Sequence, residues 1–224
     1  MLAGKAVVAI WNDIAPEGRA EFYDWHINEH IPERLAIPGF RRGRRFVALN
    51  VATRPEFFTL YETDDFAVLQ GPDYAARLEA PTPWTRTATS HFRHTARALA
   101  HVLHSEGPGS GGAMLTVRFD ADATALQGFI TLLAETMKLP RICGAHLCRA
   151  DQTSSQVRTA ESRERTDIEA PPTWFAVIEA TDAEAILSAM DEGSLKDAGV
   201  TGPMHRGFYR VEFDGHKPGA GSGL

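Results

Sequence analysis

The chain has 224 residues, 43% hydrophobic and 23% charged, a composition that excludes a mainly disordered protein and suits one large domain or two small ones. Twenty-three basic against 29 acidic side chains give a formal charge of −6, which removes the usual electrostatic reason to expect a nucleic-acid partner. No segment approaches the roughly 20 apolar residues that span a bilayer, and the start lacks a signal-peptide core. Cys143 and Cys148, the only cysteines, are too few for a disulfide framework or a zinc cluster, so the expected setting is a reducing cytoplasm without a membrane partner.

Taken in order, Ala6 to Trp11 is an apolar strand. Phe22, Trp25, His30 or Ile31, and Leu35 recur near every 3.6 residues, which predicts a helix from Glu17 to Leu35 that Pro38-Gly39 stops. Strands follow over Phe40 to Asn50 and Phe57 to Glu62. Then come a short helix from Asp65, turns around Gly71-Pro72-Asp73 and Pro81 to Trp84, and a last strand within His91 to His104. The order then repeats: strand Ala113 to Phe119, helix Ala123 to Met137, strand within Pro140 to Arg149, strand Trp174 to Glu179, helix Ala183 to Met190 and strand Gly207 to Phe213.

Two local pairings support a duplication. Ile37-Pro38-Gly39-Phe40 answers Leu139-Pro140-Arg141-Ile142, and Tyr61-Glu62-Thr63-Asp64 answers Ile178-Glu179-Ala180-Thr181. The expected class is α+β: two tandem ferredoxin-like βαββαβ units over 1–104 and 113–215, joined by a Gly-rich linker at 105–112 and followed by a loose tail at 216–224. Each unit carries helices on one sheet face, and the other sheet face has the partner unit as its nearest cover. The polar segment 153–172 reads as a surface or lid loop.

Trp25-His26-Ile27-Asn28-Glu29-His30-Ile31-Pro32-Glu33-Arg34, continued by Leu35-Ala36-Ile37-Pro38-Gly39-Phe40, resembles the dimeric α/β-barrel superfamily, nearest its EthD-like and related uncharacterised members. That resemblance implies a His-bearing helix after the first strand, and a barrel that single-domain members build by dimerisation and this chain builds from a fused pair. It also implies a small organic ligand between sheet and helices or inside the barrel. The superfamily spans cofactor-free monooxygenases, lactone isomerases, cyclases and haem enzymes, so fold membership selects no reaction. The helix of the second half has no counterpart of the Trp25 to His30 segment, which favours the first half as the seat of a pocket.

His26 and His30, four apart, share a helix face. With Glu29 they spell an inverted zinc-protease motif, but no third ligand can be assigned, and neither a metal nor a cofactor is expected. A neutral imidazole accepts and returns a proton near pH 7; His30, nearer the Pro-Gly turn, is the first candidate and His26 the second, against structural roles for both. Asp13 after the first strand either orients a histidine or caps a loop. Trp11 belongs to an aromatic pocket or to the core. Among Arg41, Arg42, Arg44 and Arg45, alternation sends Arg44 and Arg45 to opposite faces, so at most one or two bind an oxyanion. Tyr61, Trp84 at a pocket rim and His91 complete the candidate ligand contacts.

The expected function is acid–base chemistry by His30 or His26 on a small hydrophobic, oxygenated substrate of aromatic or polyketide-like character. The alternatives are a noncatalytic ligand-binding or structural barrel and, behind it, a haem or metal protein. A homodimer of the fused pair is the assembly left open.

Overall fold

In the computed structural model, which describes residues 1–163, 165 and 167–217, the two-residue alternation of each strand divides its side chains between two environments. Strands β1 (Ala6–Ile14), β2 (Phe40–Ala48), β3 (Phe57–Thr63) and β4 (Phe92–Glu106) form one half, and β5 (Ala113–Ala121), β6 (Ile142–Ala150), β7 (Trp174–Ala180) and β8 (Val200–His216) the other. They close into a barrel in the order β1-β3-β2-β8-β5-β7-β6-β4, every neighbour antiparallel. Each half has the ferredoxin-like order, and β2·β8 and β4·β6 are the two seams. Closure leaves no open sheet edge in the barrel among the described residues.

The barrel interior is a core of its own. Val7, Ala9 and Trp11 point inward from β1 against Phe58, Phe175 and Tyr209. At one end of it lies a charged cluster: the Arg44 guanidinium binds Glu62 (2.9 Å) and Glu179 (2.7 Å), and His146 Nε2 stands 3.4 Å from Glu179. Glu62 and Glu179 occupy equivalent places in the two repeats, so the cluster sits on the pseudo-twofold relation between them. Although burial acts to raise it, the Glu179 carboxyl is held down at about 2 by His146 and Arg44.

The helices cover the outer sheet faces. In the first half α1 (Arg19–Trp25) runs into a π-helical turn, His26–His30, and on into α2 (Ile31–Ala36). Pro32 explains the widened turn: it has no N–H for the Asn28 carbonyl, and its ring crowds that carbonyl. Ile31 N–H accordingly reaches back five residues to His26 O. Three further helices follow β3: α3 (Phe66–Gln70), α4 (Pro72–Glu79) and α5 (Pro83–Ser90). Two of these replace expected turns, because Pro72 and Pro83 act as first-turn residues, the second behind the N-cap Thr82. The second half carries α6 (Leu126–Thr136), α7 (Gln152–Ser155), α8 (Ala183–Leu187) and α9 (Glu192–Asp197). Asp65 and Asp182 cap equivalent helices in the two halves, and Gly39 and Arg141 hold equivalent left-handed turns, φ 88° and 67°.

Strand ends extend further than the apolar pattern indicated. β4 runs on to Glu106 and β8 to His216, so the joining segment is shorter than 105–112. Of the expected tail, 218–224 lie outside the described residues. The segment 153–172 crosses from the second half onto the first: Glu161 N–H donates to Leu78 O (3.1 Å), and Asp167 and Glu169 exchange backbone bonds with Thr95.

Candidate functional site

Between the outer face of the first-half sheet and its helices lies a cavity. Its wall joins β1 (Val8, Ile10, Asn12), β3 (Thr59, Tyr61), β4 (Thr95, Arg97), the helix residues Trp25, His26, His30 and Arg34, and Thr159, Glu161, Ser162 and Arg165 from the crossing segment. About 50 Å³ is open to the centre of a water-sized sphere, room for several waters by the usual 10–15 Å³ apiece. The corresponding space in the second half is filled: Phe129 of α6 stacks on Phe119 (4.8 Å) and Trp174 (6.1 Å) above Leu133.

The π turn places the two histidines. His26 and His30 stack at 5.4 Å with planes 20° apart, Phe22 lies against His26 (5.1 Å) and Trp25 against His30 (4.3 Å). Behind them Arg45 Nη1, which can only donate, stands 3.4 Å from His26 Nδ1 and makes that nitrogen the acceptor. Both imidazoles are held well below the ordinary histidine range. Burial is the main cause; for His26 the charge His30 would carry if protonated and the charges of Arg45 and Arg34 add to it, and for His30 the charges of Arg34 and Arg165. Each is a neutral base at pH 7.

Four buried polar atoms of the lining residues find no hydrogen-bond partner among the described residues: His30 Nδ1, Tyr61 OH, Thr95 Oγ1 and Arg165 Nε. Buried polar atoms are normally paired, and an orphaned set converging on one space marks what that space receives. Burial raises the Tyr61 pKa, so its hydroxyl keeps its proton and serves as a donor. Arg34 is bound to Glu161, and Arg165 stands 3.7 Å from the same carboxylate while lying over the Phe92 ring at 4.8 Å. Arg97 donates to Tyr74 OH (2.8 Å).

Of the residues singled out by sequence, His26, His30 and Tyr61 meet here, with Arg45 touching His26 from the far side. The others do not. Trp11 points into the barrel, where its indole donates to Thr116 Oγ1 (3.2 Å), because alternation puts it on the inner face. Arg44 is inside the barrel for the same reason. Asp13 accepts from Glu56 N–H (2.6 Å) and lines a separate recess at the barrel mouth with Arg54, Arg118 and His205. Trp84 lies on α5 and packs on the Phe22–Trp25 cluster. His91 packs against Gly18, 3.9 Å from Glu21. Glu29 turns away from the histidines and accepts from the Thr82 (2.6 Å) and Thr85 (3.0 Å) hydroxyls; no three metal-ligating side chains converge among the described residues.

Sequence reasoning missed Thr95, Arg97, Glu161 and Arg165. The first two were signalled by alternation along β4. The last two carry no local signal, since only the fold of the crossing segment brings them over the other half.

The chain matches no known protein-family profile, and no curated protein is significantly similar to it. Solved structures do share its fold. An anthrone oxidase-like protein is 12% identical, with 98% of this chain and 96% of that one covered at a TM-score of 0.60. A protein of Fusobacterium nucleatum provisionally assigned as a monooxygenase is 9% identical (96% and 96% covered, TM-score 0.57), and one of Lactobacillus acidophilus similarly assigned is 8% identical (95% and 97%, 0.57). At these identities the likeness is one of fold alone: the eight-stranded ferredoxin-like barrel.

Proposed function

We propose that the protein is an enzyme that moves a proton on a small oxygenated organic molecule held in the first-half cavity, with His30 as the base and then the acid. The observation that carries this reading is the pair of unpartnered buried atoms, His30 Nδ1 and Tyr61 OH, on one cavity wall. A neutral imidazole takes a proton from a carbon beside a carbonyl, or from a ring hydroxyl. The electron pair then moves onto the carbonyl oxygen, which Tyr61 O–H receives as a donor, and the imidazolium returns the proton at another position. His26 and Trp25 hold the His30 ring in place by stacking on it. The fold match to an anthrone oxidase-like protein supports an aromatic substrate. On this reading the chain is a fused EthD-like pair, and its first member keeps the pocket.

The test is solvent-deuterium incorporation, followed by NMR, into a panel of enolisable aromatic ketones, lactones and phenols. Exchange catalysed by the wild type is expected to fall by roughly 10²–10⁴ in His30→Gln, the usual contribution of a positioned general base. Full activity in His30→Gln or His30→Ala would sink the assignment.

A further inference from the structure

The sign of charge in the cavity opposes that of the chain. Overall the protein carries −6, yet among the described residues the cavity wall holds Arg34, Arg97 and Arg165 against one carboxylate, Glu161, beside two neutral histidines. The open vestibule that shares Phe92, Glu161 and Arg165 with it adds Arg86 and Arg93 against Asp167. Arg34 is 4% exposed and the Arg165 side chain 14%. A guanidinium taken out of water is costly unless a counter-charge accompanies it. Glu161 is already bound to Arg34 and reaches Arg165 only at 3.7 Å. Arg165 Nε has no partner among the described residues. Burial, together with Arg97, Arg158 and Arg34, brings the Arg165 pKa down to about 10 against the pull of Glu161.

We propose that the molecule bound here is a small organic carboxylate, its acid group received by Arg165 and Arg34 and its carbonyl or hydroxyl end directed at His30 and Tyr61. This rests on the proton-transfer reading of the same cavity and names its substrate class. The second repeat therefore contributes the specificity-determining group for the first. Arg165 rides on the segment between β6 and β7, and Thr95, where that segment is bonded to β4, lines the cavity with an unpartnered hydroxyl of its own. Arg165 lies over the Phe92 face, and its Nε, without a partner among the described residues, is the donor a planar acid would take up beside the Nη2 that faces Glu161. The Arg86 and Arg93 vestibule draws anions to the entrance.

The test pairs benzoate with benzamide, which has nearly the same shape and no charge, in calorimetric titrations at low salt. The wild type is expected to prefer benzoate by at least about tenfold, as charge-assisted hydrogen bonds give. Arg165→Gln should abolish that preference, and His30→Gln should keep it while losing turnover. Equal affinity for the two probes in the wild type, no benzoate binding, or an unchanged preference in Arg165→Gln overturns the proposal; the wild-type comparison stands even where a variant fails to fold. Unchanged turnover in His30→Gln with the benzoate preference intact overturns the proton-transfer role alone.

Discussion

Acid should destabilise this protein through two particular side chains. His26 and His30 are buried and neutral, their pKa values depressed first by burial and then by the cations around them. Unfolded, each titrates near the ordinary value of about 6.5. The unfolded chain then binds protons that the folded chain refuses, and stability falls with falling pH by about 1.4 kcal/mol per unit for each histidine. The loss begins near pH 6.5 and continues down to the folded pKa. Between pH 7.5 and 5.5 the pair accounts for about 3 kcal/mol, since only the last unit of that interval lies below the unfolded pKa. The assay is urea denaturation of the wild type and of the His26→Gln/His30→Gln double variant at both pH values. Whatever the double variant loses at pH 7.5, its pH dependence should be shallower than that of the wild type by this amount. Equal pH dependence in the two proteins refutes the reasoning, because it would mean that both imidazoles protonate freely in the folded state.

Two further outcomes separate the barrel interior and the second half from the cavity. Arg44→Leu leaves Glu62 and Glu179 buried without their cation and should cost about 3–5 kcal/mol in urea denaturation; a loss under 1 kcal/mol would show that the interior cluster is hydrated. Phe129→Ala removes a buried ring stacked on Phe119 and Trp174 and should cost about 3–5 kcal/mol with no change in benzoate affinity. A change in that affinity would place ligand in the second half.

The barrel was legible because its information is periodic and repeated. Val7, Ala9 and Trp11 alternate on one strand, Leu126, Phe129 and Leu133 recur on one helix, and the element order runs through twice. Proline was the point of failure. Pro72 and Pro83 read as turn residues but begin helices, and Pro32, a first-turn residue of α2, instead causes a π turn in the helix that bears the histidines. The candidate site was legible only where periodicity reached it. Helical spacing put His26 and His30 on one face, and strand alternation put Tyr61 beside Thr59. Arg44 and Arg45 were correctly divided between faces, yet no local rule tells which face looks into the closed barrel and which toward the helices. That distinction depends on closure through β2·β8 and β4·β6.

The asymmetry between the halves follows from two departures from the repeat. Where the second half carries Phe129 and Leu133 on an uninterrupted helix, the first carries Trp25, His26 and His30 on a helix widened by Pro32. A stacked aromatic core therefore becomes a polar-walled cavity. Without a cover, that exchange would leave the hydroxyl, imidazole and guanidinium groups of the cavity open to bulk water. The segment between β6 and β7 resolves this by crossing the seam: Glu161 binds Arg34, and Asp167 and Glu169 bond to Thr95 on β4. Because that segment belongs to the second half, a cavity in the first is complete only when both halves are joined. An unfused first half would lack Arg165 and Glu161, and with them both the cover of the cavity and the charge that selects its ligand.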